Sequence, residues 1–166
     1  MPVTVTPLAP TARFSLRLRP EDAPAVADAF GTALPARIGQ ISTAGGRRAL
    51  CLGPDEWLLL AEEADGPALA EAFGALDTPH ALAVLSDREV AWALEGTGVL
   101  DFLATGCPLD LARMPVGTGT RTVFDTVQVV LIRESETRFH LEAWRSFAPH
   151  LEALFALVRR ELALGV

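Results

Sequence analysis

The sequence predicts an α+β fold of two related lobes, each running strand, helix, hairpin, helix. Three observations carry that expectation. Stretches with period-two alternation and stretches with helical spacing follow one another, as "RFSLRLR" (13–19) and "EDAPAVADAFG" (21–31) do. The order of such stretches then repeats once, without clear residue identity between the halves. A helix set between non-adjacent strands needs a sheet to pack against, which gives a mixed domain. Finally, 166 residues of which 50% are hydrophobic suffice for one packed domain, burying about 70% of the surface its unfolded chain would expose.

Residues 1–11 hold three prolines among threonines and valines and are expected to form an extended N-terminal arm, ordered only where something holds it. Residues 12–166 are expected to form a single two-lobed domain, with lobes at 12–87 and 88–166. In the first lobe, Phe14, Leu16 and Leu18 share one face of a half-buried strand, with arginines and serine opposite. A short helix follows, with Asp22 as candidate cap, Pro24 in the first turn and Gly31 as stop. Residues 39–46, rich in Gly, Ser and Thr, read as a loop. Two apolar runs, 48–52 and 56–61, flank "GPDE" and form a hairpin. "DGPALAEAFGAL" is a helix starting near Asp65 or Gly66, with Leu69, Phe73 and Leu76 on one face. "HALAVLS" (80–86) is mostly apolar, as expected of a strand covered on both faces.

The second lobe opens on a strand with Val90, Trp92 and Leu94 on one face. A short helix runs from Thr97 to a terminal glycine, Gly106. Residues 121–144 supply one or two strands and a hairpin that turns at the polar "RESET" (133–137). The last helix, 146–162, has Ser146 at its cap and a stripe of Phe147, Leu151, Leu154, Phe155, Val158 and Leu162. Arg159 and Arg160 sit in its last turns, where cations complement the helix dipole.

Composition excludes several functions. A net charge of −7 argues against nucleic-acid binding, because neutralising phosphates needs clustered cations. All fourteen basic residues are arginine, and two cysteines, Cys51 and Cys107, are too few for a disulfide framework or a zinc cage. The N-terminus lacks a basic region followed by an apolar core, and no apolar run is long enough to span a bilayer. These features predict a soluble protein of a reducing, cytoplasmic compartment. Three scattered histidines, His80, His140 and His150, make no ligand spacing for a metal. "GTGTR" (117–121) has neither a strand leading into it nor a following lysine, so it is no phosphate loop.

Three blocks, "LGPDEWLLL" (52–60), "LATGCPLDL" (103–111) and "WRSFAPHLEALF" (144–155), resemble the gamma subunits of heterotetrameric sarcosine oxidase. The linking blocks "VLSDREVAWALEG" and "RTVF" fit the same pattern, so the resemblance covers roughly residues 47–158. Thr97–Gly98 stands where that family usually has Gly-Pro, and Met114 where it usually has an aromatic residue. The resemblance implies the fold of the folate-binding domain of the glycine-cleavage aminomethyltransferase. It implies a complex that demethylates sarcosine to glycine and passes the one-carbon unit to tetrahydrofolate. It implies alpha, beta and delta subunits as partners, with FAD, FMN, NAD, tetrahydrofolate and zinc held on those other chains. This chain is expected to add assembly and stability and to carry no catalytic, cofactor-binding or metal-binding residue. The rival is a stand-alone folate-binding aminomethyltransferase-like protein, or an assembly factor, on the same fold.

Individual residues sharpen that expectation. Aminomethyltransferases present an aspartate on a glycine-rich segment; the equivalent stretch here is short, and Asp125 reads as a turn-stabilising residue. Cys107 follows a helix C-terminus, which does not lower a thiol pKa, so it reads as a small buried residue, with Gly106 as helix stop and Pro108 blocking continuation. A thiol enzyme centred on Cys107 is the weakest rival. Trp57 and Trp92 lie in apolar runs and read as core. Trp144 is out of phase with Phe139, Leu141 and Ala143, so it faces outward beside Arg145. Tryptophan and arginine are enriched at the energetic centres of interfaces. Trp144 and Arg145 are therefore the candidate partner contact, against the alternative that Arg145 only pairs with a nearby acid.

Overall fold

A computed structural model describes residues 2–165. In chain order the elements are β1 (Thr4–Pro7), β2 (Thr11–Leu18), α1 (Ala23–Phe30), β3 (Ile41–Ala44), β4 (Arg47–Gly53), β5 (Glu56–Glu62), α2 (Gly66–Gly74), β6 (His80–Val84), β7 (Glu89–Glu95), α3 (Val99–Ala104), β8 (Thr118–Phe124), β9 (Val127–Arg133), β10 (Arg138–Trp144) and α4 (Ala148–Leu164). The chain divides into two compact units. One is Pro10–Asp87; the other joins the residues up to Ala9 with those from Arg88 onward.

The Pro10–Asp87 unit holds a five-stranded antiparallel sheet in the order β3-β4-β5-β2-β6. The alternation read in β2 is realised: Phe14, Leu16 and Leu18 are buried with Trp57, Leu59 and Ala61 of β5, under Val26 and Phe30 of α1 and Leu69 and Phe73 of α2. Each large side chain so buried stabilises by about 1.5–3 kcal/mol. α1 ends at Gly31, whose φ of 85° is left-handed and open to glycine without strain. Its start differs from expectation. Asp22 makes no side-chain cap, because its carboxylate accepts from Arg19 Nε at 2.9 Å.

Three further differences have physical reasons. Residues 41–44, read as loop, are strand β3. They show no apolar alternation, and their pairing with β4 turns on Gly45 and Gly46, whose φ values of 54° and 77° suit a tight hairpin. β6 is an edge strand rather than one covered on both faces, and Val84 is 62% exposed. Its alanines are apolar enough to mimic a buried run without needing burial. Arg13, expected on a solvated face, is 2% exposed.

The other unit repeats this sheet order strand for strand: β8-β9-β10-β7-β1, also antiparallel. The expected hairpin in each lobe is a three-stranded meander, β3-β4-β5 in one and β8-β9-β10 in the other. The fifth position, held by β6 in the first unit, is held here by β1 from the start of the chain. β1 pairs along β7 from Thr4↔Glu95 to Pro7↔Trp92. Trp92, Leu94, Phe139 and Leu141 of the sheet pack with Phe102 and Leu103 of α3 and with Leu151, Phe155 and Val158 of α4. Trp92, Phe102 and Phe124 all meet the Phe155 ring at centroid distances of 5.4–5.7 Å.

Here too the helix starts differ from expectation. Residues 145–147 form a 3-10 turn ahead of α4, Ser146 makes no cap, and Phe147 is 41% exposed. The buried stripe therefore begins at Leu151. Gly106 does not adopt a left-handed φ and is no glycine stop. The amide N–H of Asp125 donates to the Gly106 carbonyl at 2.9 Å, and a Cβ on Gly106 would lie 2.9 Å from that nitrogen and 3.1 Å from the Phe124 ring. Close approach of the β8–β9 turn, not backbone handedness, requires glycine there.

Candidate functional site

β10 ends at Trp144, and its register with β7 sets Trp144 opposite Glu89, next to Arg88. The amide N–H of Arg145 donates to the Arg88 carbonyl at 2.7 Å, which holds the two chain segments together just past the sheet. The Arg88 guanidinium lies 3.9 Å from the centre of the Trp144 ring, a cation–π stack contributing about 0.5–1 kcal/mol at an exposed position. The Phe147 ring stands 6.3 Å from that of Trp144. Trp144 is 38% exposed, and Arg88, Arg145 and Phe147 are exposed beside it. Among the described residues Arg145 makes no ion pair, so pairing with a local acid does not account for it. The outward phase of Trp144 was legible in the sequence. Arg88 and Phe147 were not: Arg88 comes from a strand start 56 residues upstream by the β7–β10 register, and Phe147 was assigned to the buried stripe.

This cluster is pre-organised. The guanidinium stack fixes the indole in one orientation, so ordering it against a partner costs less entropy than ordering a free side chain. An exposed tryptophan, phenylalanine and two arginines form the composition that dominates interface energetics.

The other sequence candidates lie apart from this patch. Cys107 is 6% exposed and packs with Phe102, Leu111 and Phe124, its sulfur 3.7 Å from the Thr122 hydroxyl. Cys51 is 1% exposed, and burial pushes its thiol pKa up. Arg133, itself 4% exposed, anchors the segment after Cys107: it donates to the carbonyls of Leu111 at 3.0 Å and Met114 at 2.6 Å and to Glu136 at 2.6 Å. A shallow hollow of about 250 Å³ beside α3 is walled by Leu100, Asp101, Ala104 and Asp110, and Cys107 is not on its wall. Asp125 occupies the two-residue β8–β9 turn at φ 54°, a left-handed conformation aspartate tolerates. Hydrogen bonds from the Thr126 amide and hydroxyl hold its carboxyl below the usual range, with His150 Nε2 at 3.4 Å adding to the effect. Its side chain is 47% exposed. His140 Nε2 meets Glu142 Oε1 at 2.8 Å, and His80 Nδ1 meets the Thr78 carbonyl at 2.7 Å. Among the described residues no group of three or more His, Cys, Asp or Glu could hold a metal ion, and no helix is long and apolar enough to cross a membrane.

The sarcosine oxidase, gamma subunit family matches over residues 17–157. The sarcosine oxidase subunit gamma of Corynebacterium sp. (strain U-96) is 34% identical over 155 residues, which span 89% of this chain and 75% of that one. The subunit of Corynebacterium sp. (strain P-1) is 33% identical over 130 residues, which span 76% of this chain and 64% of its own length, just under two thirds. A chain of the heterotetrameric sarcosine oxidase from Corynebacterium sp. U-96, solved with pyrrole 2-carboxylate, superposes with a TM-score of 0.86 at 31% identity, covering 96% of this chain and 84% of that one. The glycine cleavage system aminomethyltransferase T of Bartonella henselae superposes with a TM-score of 0.72 at 16% identity, over 92% of this chain and 45% of its own, a likeness of fold alone. These matches do not favour the stand-alone rival. Sequence, sheet order and superposition agree: this chain belongs to the sarcosine oxidase gamma subunit family.

Proposed function

We propose that this chain works as a non-catalytic gamma subunit of a heterotetrameric sarcosine oxidase, where it builds and stabilises the assembly. In this reading the complex demethylates sarcosine to glycine and passes the one-carbon unit to tetrahydrofolate. The partners are alpha, beta and delta subunits, and FAD, FMN, NAD, tetrahydrofolate and zinc are held by those chains. The free, buried thiols of Cys51 and Cys107 suit a reducing, cytoplasmic setting. In this reading residues 12–166 act as one two-lobed domain, with lobes at about 12–87 and 88–166.

The observation that carries this reading is the exposed Trp144 indole, stacked by Arg88 and flanked by Phe147 and Arg145. It supplies an interface centre, while the half-exposed turn at Asp125 supplies no general base. Tagged chain pulled from native cells is expected to bring down a yellow, flavin-containing complex. A colourless chain recovered alone overturns the subunit reading. Within that assay, Arg145→Ala is expected to weaken co-purification by roughly 5- to 30-fold, the loss of an interface arginine worth about 1–2 kcal/mol, with the thermal midpoint of the isolated chain unchanged. Full retention by Arg145→Ala rejects the patch as the contact.

A further inference from the structure

A second surface of the same unit carries charge that no carboxylate answers among the described residues. Between β1 and the outer face of α4 runs a cleft of about 830 Å³, walled by Pro2, Val3, Thr4, Arg159, Arg160 and Leu162. A smaller hollow of about 180 Å³ continues it past Val5 and Pro7 to Trp92, Glu152 and Phe155. The two share Ala156 and Arg159 and so form one groove. Six residues of strand and eleven steps of helix both span about 16–20 Å, which is the groove's length. Its floor is apolar and its cationic rim is arginine.

Two features narrow what can lie there. The first is the strand edge. Leu8 N–H donates to Ala91 O, so by antiparallel alternation Thr6 and Thr4 also bond toward β7, while Val5 and Pro7 turn their backbone groups to the open side. Proline has no N–H, and this removes a donor from that side. The edge is blunted against an added strand; the groove recognises side chains. The second feature is charge. The chain's net charge is −7, and many of its arginines are paired, as Arg17, Arg19, Arg47, Arg133 and Arg138 are. Arg159 and Arg160 have no carboxylate partner among the described residues. Glu152, an acid on the groove wall, accepts from Trp92 Nε1 at 3.4 Å.

We infer that this groove docks an acidic segment of a partner subunit, one that sets apolar side chains over Val5, Trp92 and Leu162 and carboxylates against Arg159 and Arg160. The inference rests on the subunit reading above and adds a second contact to that of the Trp144 patch.

The test uses the assembled complex. Arg159→Glu with Arg160→Glu reverses the rim on exposed helix positions, and is expected to weaken co-purification with the other subunits at least about tenfold, since like charges meeting at an interface cost several kcal/mol. Arg159→Lys with Arg160→Lys is expected to retain most of it. Amide exchange of unaltered protein, free and in the complex, needs no variant: residues 2–7 and 152–163 are expected to slow on assembly. Full association of the charge-reversed variant, or unchanged exchange in both segments, overturns the inference while leaving the subunit reading intact. Self-association of the isolated chain that the reversal abolishes also overturns it, because the occupant is then a second copy. Failure of the unaltered chain to associate overturns both.

Discussion

Gly106 sets the tolerance of the second unit to a single methyl group. Its hydrogen faces the Asp125 amide and the Phe124 ring, with 2.9 Å and 3.1 Å left for any Cβ. Gly106→Ala is therefore expected to destabilise by about 1–3 kcal/mol, as overpacking does, lowering the thermal midpoint by about 3–10 °C; a calorimetric scan measures it. An unshifted midpoint would mean that the β8–β9 turn yields freely. The glycine itself was legible in "LATGCPLDL", but its reason was not. The turn that crowds it lies 19 residues downstream and arrives only through the pairing of β8 with β9. The same holds at the contact patch. Trp144 could be placed outward from its phase alone, whereas Arg88 could not be assigned to it, because strand register is a tertiary fact.

Among the elements, α4 joins three others through a single side chain. Phe155 meets Trp92, Phe102 and Phe124, tying the helix to β7, α3 and β8. Phe155→Ala is expected to cost about 3–5 kcal/mol through lost burial and the cavity left behind, read as a lower denaturant midpoint at unchanged slope. Leu157→Ala, two residues on and so on the opposite side of the helix, 42% exposed, is expected to stay within about 0.5 kcal/mol. A reversed order of the two would mean that the buried face of α4 is assigned wrongly. Elements with strong periodicity were the legible ones: the alternation of β2 and β7 and the i, i+4, i+7 spacing of α4 each name a buried face. β3 was hidden because "ISTA" has no apolar rhythm and exists as a strand only through its partner β4. β6 was mistaken for a buried strand because hydrophobicity in a run of alanines says little about coverage. Phe147 was misplaced because a 3-10 turn breaks the helical phase that the stripe assumed.

At the scale of the whole chain, the two units share one sheet order but fill its fifth place differently. β6 follows its own helix, whereas β1 comes from the opposite end of the sequence. Removing residues 2–7 is expected to speed amide exchange in β7 and to expose Trp92, while β2 to β6 keep their protection; equal loosening of both units would contradict this division. The extended character of the N-terminal arm could be read from its prolines and β-branched residues. Its destination could not, because alternation does not name a partner strand. The groove beside α4 was illegible for the same reason, since one of its walls is that strand. This arrangement also governs how the polypeptide matures as it leaves the ribosome. Thr4 is translated long before Glu95, its opposite number, a wait of several seconds at about 5–20 residues per second. Pro10–Asp87 can close during that interval, and the nascent leader must stay unpaired without recruiting a stranger. Pro2, Pro7 and Pro10, each lacking an amide hydrogen, guard it from mispairing until its berth has been synthesised.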